Sequence, residues 1–212
     1  MKNNKNNDYV TIDDLRPKDK DEIHKESGEP KNIVTAFSGS DNYLRTAYSF
    51  FSAAKNLASN KDKVIKNSWI YPVVYMYGFY MELSLKEMIR LGSYYEKNKG
   101  ETNSSDFKKH KLEGKYTSKK GHDLVFLWNN AKKYMFIMDH EGFEKETEQL
   151  KNIESCVHEL KKLYGNNGTN FKYPDELDSD ININIEEIKN TMSKVENTFG
   201  GYFLGLHEKI FK

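Results

Sequence analysis

The feature that most constrains this chain is a long apolar stretch with a charged pair inside it. Between Pro72 and Tyr95, aromatic and aliphatic residues occur on almost every side of a helical projection. A helix of that kind has to be surrounded by other elements. Glu82 and Lys86 lie in its middle, one helical turn apart, and a charge removed from water needs a partner. We therefore expect a central helix, with Glu82 held by a fixed polar group.

Four further segments have the spacing of amphipathic helices. Their apolar residues repeat every three or four positions over about residues 40–58, 124–138, 144–164 and 185–211. No alternating pattern typical of strands competes with them. The sequence therefore predicts an all-α, up-and-down bundle of about five helices.

The polar start of the chain differs from the rest. Residues 1–38 carry mixed charge and little periodicity, and two prolines interrupt them. We expect an N-terminal arm that is partly disordered or docked. The helical bundle then occupies residues 39–212.

Composition excludes several classes of protein. The formal net charge is +1, so no global charge favours a nucleic-acid coat or a membrane surface. The single cysteine, Cys156, permits neither an internal disulfide nor a multi-cysteine metal site, and the histidines lack the spacing of metal ligands. The chain has no signal-peptide pattern and no apolar run of roughly 18 residues. We expect a cytoplasmic protein with no membrane attachment, no metal and no cofactor.

A short motif precedes the third predicted helix. The chain reads Gly-His-Asp-Leu at residues 121–124, and either Asp123 or His122 is expected to cap the helix. His122 would then reach back to Glu82 and fix two helices in register, together with Lys86. The alternative is that the Glu82–His122 pair performs catalysis or binds a ligand.

Residues 96–120 form a polar insertion in which lysines outnumber acidic residues. The simpler interpretation is a solvated loop. The functional one is a flap that attracts phosphate groups, to which Phe107 and Tyr116 would add stacking surfaces. Its candidate phosphate-contacting residues are Lys108, Lys109, Lys111, Lys115, Lys119 and Lys120.

Four features occur together in a characteristic order. Tyr and Ala lie on the buried side of the first predicted helix, and Glu82-x-x-x-Lys86 lies on the second. Gly-His-Asp-Leu opens the third, and Phe-Lys-Tyr-Pro at 171–174 precedes the last. Over about residues 40–212 the chain resembles the HEPN family of prokaryotic helical domains. The resemblance implies an all-α bundle, frequent homodimers, and association with RNA cleavage, toxin–antitoxin pairs and phage defence.

The chain departs from the family at the catalytic motif. Catalytic members resemble metal-independent ribonucleases with an Arg followed by a His about four to six residues later. The closest match here is Lys151-Asn152 followed by His158. In that role Lys151 would neutralise the phosphate, Asn152 would orient it and His158 would transfer protons, but lysine lacks the planar fork of arginine.

The resemblance therefore implies a non-catalytic or degenerate HEPN-like member in an RNA-linked toxin–antitoxin or phage-defence setting. Its expected partners are a second copy of the chain, RNA, and a partner protein such as an antitoxin or defence component. One alternative is a metal-independent endoribonuclease that uses Lys151, Asn152 and His158. Another is an unrelated helical interaction protein.

Overall fold

The computed structural model describes residues 42–60, 69–98, 104–138, 147–165 and 183–210. The predicted N-terminal arm lies outside the described residues. The Phe-Lys-Tyr-Pro segment at 171–174 also lies outside them.

The described residues form helices and no strand, which confirms the all-α prediction. Five helices are long and two are short, and a 3-10 turn (Lys119–His122) precedes the fifth helix. The helices in chain order are α1 (Asn42–Ala58), α2 (Ile70–Asn98), α3 (Ser104–Lys109), α4 (Gly114–Thr117), α5 (Leu124–Met138), α6 (Thr147–Tyr164) and α7 (Ile185–Ile210).

Helix α2 is the centre of the fold, as its all-round apolar character predicts. It packs against each of the other long helices, α1, α5, α6 and α7. Leu85, Met88 and Leu91 are fully buried along it. None of the described helices combines the length and the apolar character that crossing a membrane requires.

Two glycines let neighbouring helices approach α2 closely. A Cβ atom on Gly78 would lie 2.4 Å from Cδ2 of Tyr164, and one on Gly92 would lie 2.2 Å from Cγ of Tyr134. Both distances are far below van der Waals contact. Tyrosine rings of α6 and α5 therefore occupy the space that larger side chains would fill.

The insertion differs from the solvated loop that its polar composition suggests. It contains α3, α4 and the 3-10 turn, and Phe107 and Tyr116 are only 3% and 4% exposed. The Phe107 ring packs edge-on against Tyr94 of α2, with ring centroids 5.2 Å apart. The expectation that Phe107 and Tyr116 stack on bases is therefore wrong, because burying these rings is what holds the insertion on the bundle.

Candidate functional site

The predicted polar cluster is assembled around Glu82. Its side chain is only 2% exposed. Oε1 accepts a hydrogen bond from Nζ of Lys86 at 2.8 Å and lies 2.9 Å from Nδ1 of His122. Oε2 accepts a hydrogen bond from the Tyr164 hydroxyl at 3.2 Å. The predicted Glu82–His122 contact is confirmed, whereas the part of Tyr164 was not anticipated.

Asp123 fixes the position of His122 by capping α5. Its Oδ1 accepts hydrogen bonds from the backbone N–H groups of Val125 and Phe126 at 2.9 and 3.0 Å, which confirms the predicted cap. Its Oδ2 accepts one from Nζ of Lys161 at 2.7 Å. Burial alone would raise the pKa of Asp123, but Lys161 and the two backbone N–H groups outweigh it and lower that pKa.

The polar groups of the Glu82 cluster form hydrogen bonds with one another. A carboxylate only accepts hydrogen bonds, so Nδ1–H of His122 is the donor to Glu82. Burial, followed by the charge of Glu82, raises the pKa of Tyr164, which keeps its hydroxyl a neutral donor. The described geometry joins α2, the start of α5 and the end of α6 through one buried carboxylate.

A second buried charged pair lies one turn further along α2. Arg90 is 2% exposed, and its Nε and Nη2 each donate to one carboxylate oxygen of Glu87 at 2.7 Å. Its Nη1 lies 3.4 Å from the backbone oxygens of Phe107 and His110. The guanidinium also lies 4.0 Å from the centre of the Phe107 ring. Arg90 thus ties the insertion to α2.

The Glu87–Arg90 pair was not anticipated from the sequence. Glu87 and Arg90 are three residues apart, a spacing at which side chains on a helix meet. They lie on the same apolar helix as Glu82 and Lys86, so their pairing could have been predicted. The same argument, that a buried charge needs a partner, applies to all four residues.

The insertion presents a group of exposed lysines. The side chains of Lys109, Lys111, Lys115, Lys119 and Lys120 are exposed, whereas the side chain of Lys108 lies outside the described part. Lys115 forms an ion pair with Glu113 at 2.8 Å, and Nζ of Lys120 lies 4.7 Å from the centre of the Phe126 ring.

The three candidate catalytic residues lie exposed on α6. Lys151 and His158 are seven residues apart and share a face of the helix, about 10 Å apart along its axis. Asn152 lines an open groove of about 920 Å³ between α6 and α7, and neither Lys151 nor His158 lines it. Within one chain the three side chains are therefore not gathered around a common point.

Comparisons of the chain with protein families, with curated proteins and with solved structures find no match. The resemblance to HEPN domains therefore rests on the sequence motifs alone.

Proposed function

We propose that this chain is a HEPN-like helical domain that binds RNA without cutting it, in a prokaryotic toxin–antitoxin or phage-defence setting. The observation that carries the proposal is the anchored insertion. Arg90 and the buried rings of Phe107 and Tyr116 attach it to the bundle, so its exposed lysines are carried on a folded support. Lysines held in place lose less freedom on binding a phosphate backbone than lysines on a loose loop.

The ion pairs of these lysines do not oppose RNA binding. Lys109 lies 3.8 Å from Asp106, and Lys115 lies 2.8 Å from Glu113, with all four side chains more than half exposed. Exposed pairs of this kind contribute little to stability, because water and salt screen them. A phosphate group can therefore replace the carboxylate at little cost.

Binding without cleavage is supported by how the candidate catalytic groups are arranged. Glu82 engages Lys86, His122 and Tyr164 inside the bundle. Asn152 lines a different surface from Lys151 and His158. Within one chain, Asn152 therefore does not converge with Lys151 and His158 as the ribonuclease alternative requires.

The binding half of the proposal is tested by a pair of double variants. Lys119→Ala with Lys120→Ala should weaken binding of single-stranded RNA. It should also reduce the slope of log affinity against log salt by about 0.7 for each phosphate that the variant no longer neutralises. The control is Lys55→Ala with Lys194→Ala, which removes two exposed lysines from α1 and α7. Equal affinities and slopes for the two double variants would count against an RNA-binding insertion.

Lys151 and His158 share an exposed face of α6, which favours the ribonuclease alternative. A cleavage assay distinguishes ribonuclease activity from RNA binding without cleavage. We expect wild type and His158→Ala to leave RNA intact. A ribonuclease of the alternative kind would leave cyclic phosphate ends, would tolerate a chelator, and would lose activity in both Lys151→Ala and His158→Ala. An unrelated interaction protein would neither bind nor cut RNA.

A further inference from the structure

A polar cavity of about 860 Å³ lies where the end of α2 meets the insertion. Its walls come from residues 93–98 of α2, residues 106–113 of the insertion and Tyr134 of α5. The volume is in the range of small-molecule sites. None of the residues that line this cavity belongs to the motifs that resemble the HEPN family.

His110 is held in one orientation inside this cavity. The Ser93 hydroxyl donates its proton to the backbone oxygen of Arg90 at 3.0 Å. Its oxygen lies 3.0 Å from Nε2 of His110. Because a hydroxyl has one proton, Nε2–H of His110 is the donor to Ser93. The lone pair of the neutral ring is then on Nδ1, which has no hydrogen-bond partner among the described residues.

The charges around His110 favour an anion. Burial, then Arg90 and then Lys97 lower the pKa of His110, and Glu113 opposes them. The nearby positive charges therefore outweigh the nearby negative one at the ring. Arg90 itself is paired with Glu87, which leaves Lys97 as the cation among these groups that is free to meet a ligand.

The carboxylates at the cavity do not cancel its lysines. Three lysines and three carboxylates line it: Lys97, Lys109, Lys111, Glu96, Asp106 and Glu113. Glu113 is paired with Lys115, which lies outside the lining. With Glu113 neutralised by Lys115, three lysines of the lining face the two remaining carboxylates, Glu96 and Asp106, and the balance is one positive charge.

We propose that this cavity binds a phosphate monoester, whose phosphate oxygens are held by Lys97, Lys111 and Nδ1 of His110. Ammonium groups and a protonated imidazole form charge-assisted hydrogen bonds to phosphate. The half-buried ring of Tyr134 gives the rest of the ligand an apolar wall. The ester is a free nucleotide or the phosphorylated end of an RNA, and only the second source rests on the proposed RNA binding.

The test uses the full chain, with AMP as the probe and adenosine as its phosphate-free counterpart. Calorimetry should give saturable binding of AMP and none of adenosine. Lys97→Ala and Lys111→Ala should each weaken AMP binding about tenfold or more. Lys119→Ala, which removes an exposed lysine outside the cavity lining, should change it less than about twofold.

A second readout separates this site from unspecific attraction to lysines. Proton uptake at Nδ1 predicts that saturating AMP raises the pKa of His110, followed by NMR of the labelled ring. Arg90, Lys97 and Glu113 also act on the ring, so the comparison is made within one variant, with and without AMP. Equal binding of AMP and adenosine, or no response of His110, would overturn the proposal.

Two RNA trinucleotides identify the source of the ester. Tighter binding of the 5′-phosphorylated trinucleotide than of AMP assigns the site to RNA ends, and the reverse assigns it to free nucleotides. A trinucleotide without the terminal phosphate should not compete with AMP. Loss of this site leaves the Lys119 and Lys120 test unaffected, so the two proposals fail separately.

Discussion

At the residue scale, Glu82 has the environment that is hardest to satisfy. Its carboxylate is almost fully removed from water, and donors from three elements surround it. A buried ion pair is not by itself more stabilising than a well-packed apolar pair. We therefore interpret Glu82 as a residue that selects one arrangement of α2, α5 and α6, because shifting α5 or α6 would remove a hydrogen-bond donor from a buried carboxylate.

Glu82→Ala should lower the free energy of unfolding by roughly 3–5 kcal/mol, since it leaves Lys86 buried without a counter-charge. Chemical denaturation followed by circular dichroism measures the change. The matched control is Glu159→Ala, whose carboxylate is 64% exposed and pairs with Lys162 on the same helix. The control should change stability by less than about 0.5 kcal/mol. Similar losses in both variants would contradict a structural role for the cluster.

Asp123 should make the free energy of unfolding depend on pH in the acidic range. Its pKa is lowered in the folded protein, so its contribution is present above the ordinary pKa of 3.8 and is lost as the pH falls through the folded value. Asp123→Asn keeps a capping side chain but removes the charge facing Lys161. The stability difference between wild type and Asp123→Asn should be largest near neutral pH and should close below about pH 4.

Asp123→Ala separates the cap from the charge. Relative to Asp123→Asn, it removes the side-chain oxygen that accepts from Val125 and Phe126, which should cost about 1 kcal/mol at all pH values. Denaturant titrations of the three proteins at a series of pH values measure both effects. A constant gap between wild type and Asp123→Asn down to strongly acidic pH would refute the charge effect.

At the element scale, close packing on α2 depends on its glycines. Gly78→Ala would bring a Cβ atom to 2.4 Å from the ring of Tyr164, which is buried and donates to Glu82. We expect destabilisation of roughly 1–3 kcal/mol by overpacking. Gly201→Ala in α7 is the control, because no atom lies within 4 Å of its added Cβ. That variant should stabilise by about 0.5–1 kcal/mol, and a loss of stability there would contradict the argument.

The sequence predicts the long helices well because their information is local. The cap at Asp123 and the apolar periodicity place the start of α5 at Leu124, as the structure has it. The Glu82–His122 contact could also be predicted from the sequence, because a charged residue on an apolar helix needs a polar partner. The contact of Tyr164 with Glu82 could not be predicted, because the two residues are 82 positions apart in the sequence. No local spacing encodes a contact between such distant positions.

The anchoring of the insertion is not encoded in a local sequence pattern, because its anchors are sparse. Phe107 and Tyr116 are single aromatic residues among polar ones, and neither sets up a periodic pattern. The burial of Phe107 is accompanied by contacts of Arg90 of α2 with the backbone oxygens of Phe107 and His110. Contacts with backbone oxygens leave no trace in the identity of the residues that supply them.

At the scale of the whole molecule, the aromatic residues bear on self-association. From the abundance of aromatic residues in the sequence, we expect exposed aromatic residues of the first or last helix to anchor a dimer interface. Phe50 of α1 is instead half-buried and packs against Phe79 of α2, with ring centroids 4.6 Å apart. Among the described side chains, Phe136 of α5 is the exposed large hydrophobic one, at 40%. Among the described residues, the exposed large hydrophobic side chain thus lies on α5 and not on the first or last helix.

We expect a homodimer, with Phe136 as an anchor of the interface, because exposed aromatic residues are enriched where proteins associate. Light scattering at tens of micromolar should give twice the 24.8 kDa chain mass. Phe136→Ser should shift the mass toward that of the monomer, whereas Lys133→Ser, at an exposed position of the same helix, should not. A dimer unaffected by Phe136→Ser would place the interface elsewhere, and a monomeric mass for wild type would refute the dimer itself.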